Sequence, residues 1–189
     1  MSICDAAQLY LTRDMYSRLP LLDDGIAIGW VMDEEEESRW KKGRKVFDLW
    51  MWRAGREGVG SHASDGKLIT SRTPLFMAYD THRKVGERWA RMDFDRGRLP
   101  FEIVLPFVFS GLEVPSYAPG RPDDSASDVR GVGGWIGGKW AVEMSRALKT
   151  EHEDDLPFDK RGRYAFIVNL LQGKDLNESP ASEVLTLRW

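Results

Sequence analysis

The chain has 189 residues, of which 42% are hydrophobic, 30% charged and 11% aromatic; this is the profile of one core-forming domain and excludes a disordered or fibrous chain. Lys and Arg (27) nearly balance Asp and Glu (30), and the resulting net charge of -3 offers no field for holding a nucleic-acid backbone. Apolar runs such as residues 101–109 fall well short of the roughly 20 residues of a membrane helix, so no membrane span is expected.

In chain order, most segments read as strands separated by turn chemistry. Residues 1–11 lack a basic stretch followed by an apolar one, so no secretory signal is expected there. Residues 8–12 (QLYLT) and 25–32 (GIAIGWVM) are short, apolar and bounded by Asp or Gly, and each predicts a strand. Residues 33–45, an acidic block followed by a basic one, read as a solvated loop or a docking patch. Residues 47–53 (FDLWMWR) put Leu49, Met51 and Arg53 on one face and Asp48, Trp50 and Trp52 on the other, as in an inner strand. A short helix is expected over residues 81–92. Prolines at 100 and 106 make residues 99–110 an edge strand or a bent connection, and residues 115–134 read as a loop. Residues 131–138 (GVGGWIGG) approach a hairpin, and strands follow at 139–146, 163–171 and 184–189. Seven or more strands with hardly any helix predict a single all-β domain over residues 1–189, an antiparallel β-sandwich with long loops. In it Trp30, Trp50, Trp52, Trp135 and Trp140 are expected to be buried.

The residue types exclude several chemistries. A lone cysteine, Cys4, leaves no intrachain disulfide, no CxxCH haem attachment and no thiolate zinc site. His62, His82 and His152 lack metal-ligand spacing, and no G-x-S-x-G elbow organises a serine nucleophile. The pairs Asp23/Asp24, Asp123/Asp124 and Asp154/Asp155 read as turn residues.

The segments 24–30 (DGIAIGW), 47–56 (FDLWMWRAGR), 125–150 and 153–170 occur in an order that resembles the haem-binding domain of the ethylbenzene dehydrogenase γ-subunit type. That family runs approximately D-x-W-x-W-K, then S-x-x-D-V-x-A-x-G-x-W-x-x-G-x-W, R-x-L-x-T, D-D-V-x-F and Y-x-F-x-V. The resemblance implies an immunoglobulin-like, DOMON-like sandwich that holds one haem b non-covalently and passes single electrons to a redox partner subunit or cytochrome. It also implies a periplasmic setting.

Carried over by position, the resemblance makes Met51 an axial ligand to the haem iron, flanked by Trp50 and Trp52, with Arg53 or Lys139 near the propionates. It puts the second ligand near Ser179, where serine is a poor donor, and leaves Lys174, His152 and His62 as substitutes. The alternative is a haem-free binding module whose aromatic groove takes a small ligand, a sugar or a partner subunit. The family's first strands have no counterpart here, so residues 8–12 are expected to form an exposed edge that favours a homodimer.

Overall fold

The computed structural model describes residues 24–32, 44–71, 83–85, 88–104, 117–171 and 180–188. Its elements in chain order are β1 (Gly25–Val31), β2 (Lys45–Arg53), a 3-10 turn (Glu57–Val59), β3 (Ser64–Ser71), β4 (Arg83–Val85), β5 (Arg88–Phe94) and β6 (Phe101–Ile103). There follow β7 (Tyr117–Pro119), a second 3-10 turn (Asp124–Ser127), β8 (Arg130–Ile136), β9 (Lys139–Ser145), β10 (Arg163–Leu171) and β11 (Leu185–Arg188). Among the described residues there is no α-helix, and no helix long and apolar enough to cross a membrane.

Seven strands form one antiparallel sheet in the order β11-β10-β1-β2-β3-β5-β4, while β6-β7 and β8-β9 form two-stranded sheets. The β8-β9 hairpin lies across one face of the large sheet, which makes an all-β antiparallel sandwich. β2 is interior, with Met51 opposite Ala27 of β1 on one side and Ser64 of β3 on the other.

Because side chains alternate along a strand, this register sorts the residues into two cores. Phe47, Leu49 and Met51 join Ala27, Leu68, Ala90 and Leu171 on one face. Trp50 and Trp52 join Trp30, Ala63, Val129 and Phe158 on the other, beneath Val142 and Met144 of β9. Trp30 packs at 5.0 Å from Phe158 and 4.8 Å from Phe166 between ring centroids, tightening the second core.

Two glycine features seat the hairpin. A Cβ on Gly133 would come 2.4 Å from the Trp52 ring, so only glycine lets β8 lie this close to the sheet. The two-residue connection Gly137-Gly138 has positive φ at both positions, as a tight hairpin turn with the sheet's twist requires.

Three expectations are corrected. The helix expected over residues 81–92 is not found in its described part: 83–85 lie in β4 and 88–92 in β5, with Met92 opposite Leu68 and Arg91 opposite Ile69, so apolar and charged residues alternate across the pleat. Residues 115–134 are not all loop, since β7 and the start of β8 fall within them. Trp30, Trp50 and Trp52 are buried as expected, but Trp135 is 60% exposed beside the hairpin's turn, and Trp140 is 40% exposed although its ring meets Trp52 at 5.5 Å and its indole N–H donates to Asp24 Oδ2 at 3.2 Å. The strand expected at 8–12, most of the charged run 33–45, and residues 105–110 lie outside the described residues.

Candidate functional site

Met51 is buried on the apolar face, opposite Ala27 in β1 and near Leu49 and Leu68. Trp50 and Trp52 point through the sheet to the other face, so they do not line the same pocket as the thioether. Two residues beyond Met51, the Arg53 side chain is also buried. Its Nε donates to Glu57 Oε2 at 2.9 Å, its Nη2 donates to Glu57 Oε1, and the Ser64 hydroxyl donates to the same carboxylate. The Arg53 backbone N–H adds a bond of 2.8 Å to Glu57 Oε2, so the buried charge pair is satisfied from several directions. Arg53 and Arg56 both lie over the Phe101 ring, at 5.4 and 5.8 Å, and Arg56 also over Tyr117 at 5.5 Å. The end of β2 thus carries two guanidiniums and one carboxylate beside the apolar face.

The other predicted positions do not join this group. Lys139 is exposed at the start of β9, on the hairpin that covers the opposite face. His62 forms a bridge with Arg130 at the base of that hairpin, and burial followed by the nearby Arg130 charge lowers its pKa. The His152 Nδ1 lies 2.6 Å from Asp128 Oδ2, and that hydrogen bond, with the neighbouring acidic charges, raises its pKa. Ser179, Lys174, His82 and Cys4 lie outside the described residues. Of the ligand chemistry expected for haem, the described residues therefore offer a buried thioether, apolar walls and a cationic end on one face, and neither described histidine lies there.

The opposite face holds a polar cluster that the sequence did not reveal. Arg146, just past β9, is buried with its Nη1 at 2.8 Å from Asp48 Oδ2, 2.6 Å from Asp155 Oδ1 and 3.9 Å from Asp65 Oδ2. Its Nη2 donates to the Leu156 carbonyl at 2.7 Å, and the Leu156 N–H donates to Asp48 Oδ2 at 2.8 Å. The guanidinium also lies over the Trp50 ring at 4.9 Å. Asp48 and Asp65 come from adjacent strands, both on the tryptophan face: Asp48 pairs with Lys67, and Asp65 with Trp50.

One guanidinium does not neutralise this many buried acids. Burial, then the charges of Asp48, Asp95 and Asp155, push the Asp65 carboxyl up to about 10. Burial and the Asp154 charge lead the causes that raise Asp95 to about 7, and burial leads those that raise Asp155 to about 6. Asp48 is raised as well, its burial outweighing the attraction of Arg146.

Spacing along the chain could not expose this cluster, since Asp48 and Asp65 lie some 80 residues or more before Arg146 and Asp155, and Asp154/Asp155 looks like a turn pair. The available signal was in the motifs. Asp48 lies in FDLWMWR, Arg146 in the 125–150 stretch and Asp155 in the 153–170 stretch, so the segments that carry the resemblance meet at one guanidinium. Comparison with curated proteins and with solved structures gives no match. A family model described as ethylbenzene dehydrogenase matches residues 24–181, most of the chain, and the chain therefore belongs to the ethylbenzene dehydrogenase family.

Proposed function

We propose that this chain is a haem b-binding electron-transfer domain, working outside the cytoplasm as a subunit of a redox complex. The observation that carries the reading is the placement of Met51: a buried thioether on an apolar face, two residues from Arg53, in a member of the ethylbenzene dehydrogenase family. Met51 would hold the iron through its sulfur, and Arg53 with Arg56 would face the propionates, where a guanidinium offsets a buried carboxylate. Haem bound there supplies a one-electron carrier. The walls from Ala27, Leu49 and Leu68 exclude water from it. On this reading Lys139, Trp50 and Trp52 support the sandwich from the opposite side and do not touch the cofactor.

The partner contact fits the β8-β9 hairpin, where Val132, Trp135, Ile136 and Trp140 are all exposed and the two tryptophan rings meet at 5.4 Å. The same patch favours the second reading, a haem-free module that takes a ligand or partner on its aromatic surface.

Haem titration separates the two readings. Full-length protein mixed with haem is expected to develop a Soret band at one equivalent, and Met51→Leu, which keeps the volume, is expected to shift or abolish it without unfolding the protein. A wild type with no band at any haem concentration would overturn the haem reading and leave the binding module.

A further inference from the structure

We infer that Asp95, Asp154 and Asp155 form a calcium site at the edge of the Arg146 cluster. One carboxylate oxygen from each of the three lies within 4.8 Å of the others. Two oxygens that each sit about 2.4 Å from one calcium can be at most about 4.8 Å apart, so the spacing suits a single ion.

A set of acidic residues alone does not make a site, and the second observation is the state of the oxygens. Asp95 is about nine-tenths buried, and its Oδ2 has no hydrogen-bond partner. Asp155 is more deeply buried and divides its oxygens: Oδ1 meets Arg146 at 2.6 Å, and Oδ2 has no partner. Asp154 is oriented by the buried Ser125, whose hydroxyl donates to its Oδ1 at 2.9 Å. Buried carboxylate oxygens without donors carry a full desolvation penalty, which a cation would relieve.

The two neighbouring acidic groupings do not compete for the ion. Between Asp48, Asp65 and Asp155 the position is already taken by Arg146 Nη1. In the group of Asp128, His152 and Asp155, the imidazole is bound to Asp128. Charge argues the same way, because Arg146 is shared by Asp48, Asp65 and Asp155, while Asp95 feels the charges of Asp154, Asp155 and Asp48 against that of Lys67. All-oxygen donors select a hard cation. Burial of two of them favours calcium over magnesium, which sheds its water reluctantly.

The test uses full-length, haem-free protein stripped with EDTA, so its outcome does not depend on the haem reading. Calorimetric titration with calcium chloride is expected to give one saturable site and a rise in melting temperature. Asp154→Asn, at a half-buried position, should weaken calcium binding at least tenfold, whereas Asp123→Asn, an exposed carboxylate bonded to Arg98, should leave it unchanged. Without metal, Asp95→Asn should melt no lower than wild type, since it removes a charge that burial disfavours and whose Oδ2 has no donor. Absence of calcium binding at millimolar concentration, or unaltered affinity in both Asp154→Asn and Asp95→Asn, would overturn the site. Equal affinity for magnesium would overturn the assignment to calcium.

Discussion

On the face of the large sheet that carries Met51, the buried core is assembled from alanine, leucine, phenylalanine and methionine of the sheet's own strands. The face that carries Trp50 adds long-range polar contacts to its own aromatic core: Arg146 joins Asp48 of β2, Asp65 of β3 and Asp155 of the segment before β10. The same strand, β2, supplies both. Apolar packing is non-directional and accepts any side chain of the right volume, so the Met51 side leaves room to choose a residue for its chemistry. A buried guanidinium shared among carboxylates fixes geometry and accepts few substitutes.

The sharpest way to break this contrast is Arg146→Ala. It would strand Asp48 and Asp155 without their cation, a loss of about 3–5 kcal/mol by analogy with other broken buried pairs, or on the order of 10 °C in a domain of this size. Arg146→Lys should recover only part of it, because an ammonium cannot present the planar fork that reaches two carboxylates and the Leu156 carbonyl together. Urea unfolding measures both. A loss below about 1 kcal/mol for the alanine variant would mean that the carboxyls simply take up protons when the guanidinium is gone.

On the apolar face, Met51→Ala should cost about 2–5 kcal/mol through the cavity it leaves, and Met51→Leu less than about 1.5 kcal/mol. If the two faces differ as described, this tolerance has no parallel at Arg146. A melt of both variants decides, and a leucine variant as unstable as the alanine one would show that the thioether is fixed by more than its volume.

A third distinction is in pH. The folded values of Asp155, Asp95 and Asp65, about 6, 7 and 10, all lie above the ordinary 3.8, so the fold holds protons that the unfolded chain releases. Their contribution to stability is therefore fully present below 3.8 and is lost as pH rises through 6 and 7 and on toward 10. His152 acts in the same direction: its value is raised by Asp128, so its contribution is present below 6.5 and is lost as pH rises through the folded value. His62, lowered by burial, opposes them below 6.5. Melting in EDTA at pH 5.5 and pH 8 is expected to show the lower temperature at pH 8, and the reverse order would contradict the assignment of protons to the cluster.

The smallest effect belongs to neither face. Trp135→Ser, at the exposed hairpin, should change stability by no more than about 0.5 kcal/mol while weakening association with a partner subunit, measured by surface-immobilised binding.

How much of this was legible depends on whether the information was local. Alternation in FDLWMWR announced an inner strand with two large faces, and β2 is that strand. The same rule misplaced Trp135 and Trp140, because period two assigns a face but does not say whether anything covers it. Residues 88–94 (RWARMDF) hid their alternation behind charges, since on one side Arg91 and Asp93 pair with each other instead of packing. Gly131 and Gly133 looked like loop composition, yet they are strand residues made small by Ala63 and the Trp52 ring pressed against them. The Arg146 cluster needed the tertiary fold, since no window of sequence contains both Asp48 and Asp155.

The position of β1 in the sheet bears on how the chain emerges during synthesis. One edge of β1 is satisfied early by β2, but the other pairs with β10, register for register from Gly25 with Leu171 to Trp30 with Phe166. At about 5–20 residues per second, the roughly 140 intervening residues keep the ribosome occupied for something like 7–30 s. Throughout that interval a strand reading Gly-Ile-Ala-Ile-Gly-Trp-Val presents an open, apolar edge to every other nascent chain nearby. Expression at low temperature or with holdase chaperones should therefore raise the soluble yield more than any surface substitution.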